Sequence, residues 1–275
     1  MIKDAVVNLP IGMKDTGFID YAVSLARAFR LHLSAVAFAY EPIPAAMLMD
    51  NVPPDFIEEQ QEEAEQNAKA ALAMFEKASR RSGISTEARS MNASFGGTAD
   101  IFGQIARRYD LSIVRQAEPD RSTPDDLLIE AALFDSGRPV LVVPYIQEGE
   151  VKLDRILVCW DGSRNSARAV GDALPLLQRA KAVEVVSVGD RLKSTEMPGA
   201  DITQHLARHG IAVDVKHLVA ADIDAASAVL SHASDSGADV MVMGGYGHSR
   251  LREFVLGGFT RSMLASMTIP ALMAH

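Results

Sequence analysis

The order strand, helix, strand, helix is written twice along this chain, and that repetition constrains its fold more than any single motif does. In the first half, apolar runs and helical spacings predict strands over 5–9, 33–39, 86–91, 111–114 and 140–143. Helices are predicted between them over 18–29, 54–82, 98–109 and 125–134. The second half repeats the order, with strands over 156–159, 183–188, 213–218, 240–243 and 271–274 and helices over 166–177, 201–209, 223–234 and 258–266. Tyr109-Asp110-Leu111-Ser112-Ile113-Val114 stands against Ala238-Asp239-Val240-Met241-Val242-Met243, and Arg138-Pro139-Val140-Leu141-Val142-Val143 against Ile269-Pro270-Ala271-Leu272-Met273-Ala274. Strands without polar alternation, separated by helices, imply parallel sheets covered on both faces. The expected fold class is therefore α/β, two tandem doubly wound five-stranded domains over 1–146 and 151–275, with the boundary in the polar segment Ile146-Gln147-Glu148-Gly149-Glu150.

Composition narrows the function classes. Of the 275 residues 48% are hydrophobic, enough for real cores, yet no apolar run reaches the length of a bilayer. Met1-Ile2-Lys3-Asp4 leads directly into a strand and lacks a signal-peptide pattern, so a cytoplasmic location and no membrane partner are expected. A formal charge of −9 argues against non-specific nucleic-acid binding and favours a small partner. The lone Cys159 cannot close an intramolecular disulfide, and its apolar setting predicts a buried, inert thiol.

The chemistry is concentrated in the second half. Val240-Met241-Val242-Met243 opens into Gly244-Gly245-Tyr246-Gly247, and Gly257-Gly258-Phe259-Thr260 then opens a helix. Glycines remove Cβ atoms, so backbone N–H groups can close on an anion, and the first turn of the following helix adds amides and the positive end of its dipole. Plain turn residues would give the same letters. Asp161 directly follows a strand, where a carboxylate can accept hydrogen bonds from ribose hydroxyls or an adenine amino group. It can equally cap the next helix, with Ser163 or Asn165 as rival caps. Ligands of open parallel sheets bind at the carboxyl ends of the strands, and Val188-Gly189-Asp190 lies on the same rim.

Ile156-Leu157-Val158-Cys159-Trp160-Asp161-Gly162-Ser163 and Gly244-x-x-Gly247-(nine residues)-Gly257 together resemble the universal stress protein family in its tandem-domain form. The strand order carries the resemblance across the whole chain; the motifs carry it only in the second half. It implies Rossmann-like domains of the adenine nucleotide alpha hydrolase type, related by a pseudo-twofold axis. It further implies an adenine nucleotide as partner, ATP with Mg²⁺, with Asp161 and Val188 on the nucleoside and Gly244, Tyr246, Gly247, Gly257, Gly258, Phe259 and Thr260 around the phosphates. Two departures stand out. Gly258 occupies the place of the family's usual Ser or Thr, and Trp160 is bulkier than the common residue before the aspartate. The first half has Arg115, Glu118 and Asp126 where the glycines stand and Pro10 after its first strand, so it is expected to bind no nucleotide and to serve as a built-in partner. Single-domain members pair through their last strands, which implies an intramolecular pairing of 140–143 with 271–274; a homodimer of the whole chain is left open.

The expected function is that of a nucleotide-regulated stress-response protein with one ATP site per chain. The alternatives are a slow ATPase at the same loop, for which His248, Arg250 and Arg261 are the nearby groups, and a scaffold that binds no nucleotide. No Walker loop or Ser-Gly-Gly-x-Asp-Ser loop is present, which argues against high turnover. His205 and His209 are spaced to share a helix face, but zinc needs three or four convergent ligands, so no metal site is expected. The acidic run of the long helix, Glu58-Glu59, Glu62-Glu63 and Glu65, is read as a solvated face, and the proline- and methionine-rich stretch 41–54 as an extended connector.

Overall fold

A computed structural model describes residues 1–13, 15–41, 54–119, 123–189, 200–219, 224–245 and 258–275. They form two compact units, one of residues 2–138 with 148–151, the other of residues 139–147 and 152–275 with Met1.

The N-terminal unit is built on β1 (Asp4–Leu9), β2 (His32–Tyr40), β3 (Thr86–Ala93) and β4 (Leu111–Arg115), in the order β3-β2-β1-β4. The registers that relate β1 to β2 and β4, and β2 to β3, are all parallel. Helices α1 (Gly17–Phe29), α2 (Pro54–Ser82), α3 (Gly97–Ala106) and α4 (Asp125–Phe134) make the connections. β1 is apolar and buried because it lies inside the sheet, between β2 and β4, whereas β3 alternates and is half exposed because it lies at the edge. On α2, Ala68, Ala71 and Phe75 are buried at helical spacing; of the acidic run, Glu58, Glu59, Glu62 and Glu63 face water and Glu65 is half-buried. α3 stops three residues before the predicted 109, since the N–H groups of Arg108 and Tyr109 donate to carbonyls three residues back and tighten the last turn.

The C-terminal unit contains β5 (Val140–Val143), β6 (Arg155–Cys159), β7 (Ala182–Val188), β8 (Val213–Leu218), β9 (Val240–Gly244) and β10 (Ala271–Ala274), in the order β5-β10-β9-β6-β7-β8. All its registers are parallel except that of β5 with β10, which run antiparallel with Leu141 opposite Leu272. The strand segments expected to meet, 140–143 and 271–274, thus do so. Four helices belong to this unit among the described residues: α5 (Arg164–Leu177), α6 (Ala200–Arg208), α7 (Ala225–Ser236) and α8 (Phe259–Ser266). α7 begins later than predicted because Asp224 caps it, accepting from the N–H groups of Ala226 and Ser227. It ends at Gly237, whose φ of +63° closes the last turn. Among the described residues no helix is long and apolar enough to cross a membrane.

β7 and β8 lie on one side of β6, and β9 and β10 on the other. The chain order therefore reverses between β6 and β9, and at such a reversal the connections leaving the two carboxyl ends diverge and open a crevice.

Candidate functional site

Asp161 stands at the exit of β6, next to that crevice. The Trp160 N–H donates to the Val186 carbonyl at 2.8 Å, which carries the pairing with β7 one residue beyond the strand. The chain then turns at Gly162, whose φ is +73°. Ser163 caps α5, its Oγ accepting from the Ser166 N–H at 3.2 Å. Of the three rival caps, then, Ser163 is the one used. Asp161 lies outside the helix, exposed, and its Oδ1 accepts from the Ser163 N–H at 2.9 Å. Burial works against its charge, but hydrogen bonds from Ser163 and Ser166 outweigh it and hold the carboxyl below its ordinary range. An ionised acceptor is thereby fixed at the carboxyl end of β6.

The strands flanking β6 bring two more of the expected residues to the same rim. β7 ends at the half-buried Val188, and the following Gly189 N–H donates to the Leu218 carbonyl at 3.2 Å. β9 ends at Gly244, opposite Ala274. A Cβ added to Gly244 would lie 2.6 Å from the Ser166 nitrogen and 2.7 Å from the Asn165 carbonyl carbon. The end of β9 therefore rests directly on the first turn of α5, and glycine is required there by close packing.

Asn165, considered from the sequence only as a rival cap, and His275, which sequence reasoning did not single out, tie this junction together. Asn165 is buried, and its Nδ2 donates to the Gly245 carbonyl at 2.7 Å. The Nδ1 of His275 lies 2.9 Å from that same amide nitrogen and 3.0 Å from that carbonyl. The partners are 110 positions apart, and the only local signal was a polar side chain on the buried face of the first turn of α5.

α8 starts at Gly258, which supplies no side-chain oxygen to the first-turn amides; its carbonyl accepts from the N–H groups of Arg261 and Ser262. Phe259 is half-buried and Thr260 buried. Tyr246, Gly247 and Gly257 lie outside the described residues, as do Asp190, His248, Arg250 and residues 42–53. The ring of His205 on α6 and that of His209, one residue beyond its end, are 4.7 Å apart, centroid to centroid.

The matching rim of the N-terminal unit is built differently. The paired registers of β1 with β4 and β6 with β9 set Arg115 where Gly244 stands. Its side chain is 4% exposed, with a guanidinium nitrogen 3.1 Å from Glu118 Oε2. Asp125, at the start of α4, is buried and accepts from Thr123 Oγ1 at 2.8 Å. Burial, and then the charge of Asp125, push the Tyr40 phenol above its ordinary range. Charged side chains of the protein itself thus stand at this rim, where the other unit has Gly244.

Cys159, expected to be buried, is the half-buried last residue of β6, two positions before Asp161 in the C-terminal unit. Burial, and then the negative charge of Asp161, push its thiol up to about 12, so it stays protonated at neutral pH. Alkylation of the folded chain at pH 7.5 is expected to run at least about a hundred-fold slower than that of the urea-unfolded chain, measured by mass spectrometry over time. Equal rates would show that Asp161 and the apolar setting leave the thiol reactive.

Residues 152–275 match the sequence profile described as the Universal stress protein family. A universal stress protein of Synechocystis sp. is 29% identical over 157 residues, which cover 55% of this chain and 47% of that relative. The chain thus spans about half the length of the curated relative it matches. Among solved structures, a universal stress protein from Archaeoglobus fulgidus is similar over 98% of this chain and 95% of its own, with a TM-score of 0.71 at 16% identity. A functionally unknown protein from Pseudomonas aeruginosa is similar over 99% of this chain and 92% of its own, with a TM-score of 0.61 at 17% identity. These likenesses extend the fold over the whole chain, well beyond the segment that the sequence profile matches.

Proposed function

Through residues 152–275 this chain belongs to the universal stress protein family, and from that membership we propose that its C-terminal unit binds ATP with Mg²⁺ as a cytoplasmic, nucleotide-regulated stress-response protein. The observation that carries the reading is the placement of Asp161 and Gly244 on adjoining strand ends, at the point where the strand order reverses. The residues fit such a ligand. Asp161 is held ionised and exposed, ready to accept from ribose hydroxyls, and Val188 borders it on the β7 side. Gly244 and Gly258 bring bare backbone to the two ends of the loop, and α8 directs its first-turn amides from Gly258 onward. Tyr246, Gly247, Gly257, Phe259 and Thr260 complete the phosphate side of the proposal. Mg²⁺ supplies charge neutralisation between the phosphates when bound; this chain's own part is to orient the nucleoside and surround the anion. The N-terminal unit, its rim occupied by Arg115, Glu118 and Asp125, binds no nucleotide in this reading.

Calorimetric titration of the nucleotide-stripped full chain with ATP and Mg²⁺ tests it. One site per chain is expected, weakened at least about ten-fold in Asp161→Ala, because a hydrogen bond to a charged acceptor contributes roughly 1.5–3 kcal/mol. The depressed carboxyl also sets a pH dependence: the charged acceptor is fully present above the ordinary carboxylate range and is lost only as pH falls through its lower, folded-state value. The loss of affinity that protonation of Asp161 causes should therefore be absent between about pH 8 and pH 5 and set in only below the ordinary carboxylate value of about 4, read as the difference between the unsubstituted chain and Asp161→Ala at each pH. Absence of binding to the unsubstituted chain would overturn the proposal and leave a scaffold that acts through protein contacts.

A further inference from the structure

The edge strand β3 is flanked by a basic cleft that the nucleotide reading does not use. A cavity of about 490 Å³ lies between β3 and α3, lined by Arg89, Arg107 and Arg108 over an apolar floor of Met91, Ile101 and Ile105. No carboxylate lines it. Arg107 donates through Nε to the Asp135 carbonyl at 2.8 Å, which fixes its position. Among the described residues neither Arg89 nor Arg108 comes within ion-pair distance of an acid. Glu87, two residues before Arg89 on the same strand, feels its charge but accepts from Ser34 Oγ and the Tyr109 hydroxyl, so in a chain of 36 acidic and 27 basic residues the cleft itself is lined by three guanidinium groups and no carboxylate.

The backbone beside this cleft is equally unbalanced. β3 is the last strand of its sheet, so one of its edges has no strand neighbour among the described residues. Its register shows which residues own that edge. The Leu33 N–H donates to the Ser85 carbonyl and the Glu41 N–H to the Ala93 carbonyl, so odd-numbered residues turn their N–H and C=O toward β2. Thr86, Ala88, Ser90 and Asn92 consequently turn theirs outward. A second cavity of about 280 Å³, lined in part by Glu76, Arg80, Thr86 and Ala88, lies along the same strand against α2.

We propose that β3 receives an extended acidic peptide as an added strand, pairing with the outward backbone groups of Thr86 to Asn92 and setting alternate carboxylate side chains among Arg89, Arg107 and Arg108. Backbone pairing supplies a sequence-independent contact, and the cleft selects which side chains may alternate along it. The negative charge of the rest of the chain repels an acidic peptide elsewhere and so confines it to this edge. The site is independent of the nucleotide crevice.

The test is fluorescence anisotropy of the full chain at low salt with two labelled eight-residue probes, matched to the eight residues of β3. One alternates glutamate and valine, the other lysine and valine. The glutamate probe is expected to bind and the lysine probe not to, with binding weakened by salt. Arg89→Glu combined with Arg108→Glu should lower affinity by about ten-fold or more. Ser90→Pro removes one outward N–H while sparing the β2 ladder, and should abolish binding. If that variant melts early, a glutamate probe N-methylated at alternate amides poses the same question with the protein untouched. Equal binding of both probes, indifference to charge reversal, full binding of the methylated probe, or no binding at all would each overturn the proposal.

Discussion

Gly244→Ala is expected to destabilise the C-terminal unit by about 3 kcal/mol, at the upper end of the cost of overpacking. The added Cβ would meet the Ser166 nitrogen at 2.6 Å and the Asn165 carbonyl carbon at 2.7 Å. Both are backbone atoms in the first turn of α5, so no side chain can swing aside; β9 must retreat from α5 or the helix must shift. Either movement also stretches the Asn165 bond to the Gly245 carbonyl. Trp160, the chain's single tryptophan, lies in this unit, so its fluorescence in a urea titration reports the loss selectively. Gly171→Ala, within α5, is the control: its Cβ would meet nothing within 4 Å, and the helix should gain up to about 1 kcal/mol. Equal midpoints for the two variants would mean that the close approach of β9 to α5 does not bear on stability.

The second large effect is expected in the other unit. Arg115→Met should cost about 3 kcal/mol, because removing one partner of a buried pair strands the other charge. Glu118, about one third exposed, can turn partly toward water, which keeps the cost from the top of that range. Adding Glu118→Gln to Arg115→Met removes the stranded carboxylate and should recover a good part of the loss. Amide hydrogen exchange of β1 and β4 reads the change, while the Trp160 transition serves as an internal reference. A single variant as stable as the double would show that the Glu118 carboxylate is left at no cost when the guanidinium is removed.

The two effects fall on equivalent positions, and their opposite chemistry explains what could be read in advance. Strands such as Val240 to Met243 were legible because a parallel strand buried on both faces is a continuous apolar run, and α2 was legible because Ala68, Ala71 and Phe75 recur at helical spacing. The rim was legible in outline, since Asp161 and Gly244 each follow such a run. Its internal wiring was not. Ser163, Asn165 and Asp161 are all competent caps in sequence, and only the Gly162 turn decides that Ser163 takes the role. The requirement for glycine at 244 comes from a helix that begins about eighty positions earlier, and the Asn165 to His275 contact spans 110. Arg115 reads as a surface cation by residue type and proves buried because Glu118, three residues on, compensates it.

The antiparallel strand β5 carries a different lesson, about dilution and about where this chain can be cut. β10 is a short ribbon of buried apolar residues, Ala271 to Ala274, and one of its edges is covered by Val140 to Val143 from the first half of the sequence. That cover is tethered, so it acts at an effective concentration in the millimolar range however scarce the protein becomes. A fragment severed in the polar run 146–150 would leave its cover behind and present a bare apolar edge to any strand it met. A cut that keeps β10 covered therefore falls before Pro139, where the compact C-terminal unit takes up the chain, ahead of the segment that looks like a linker.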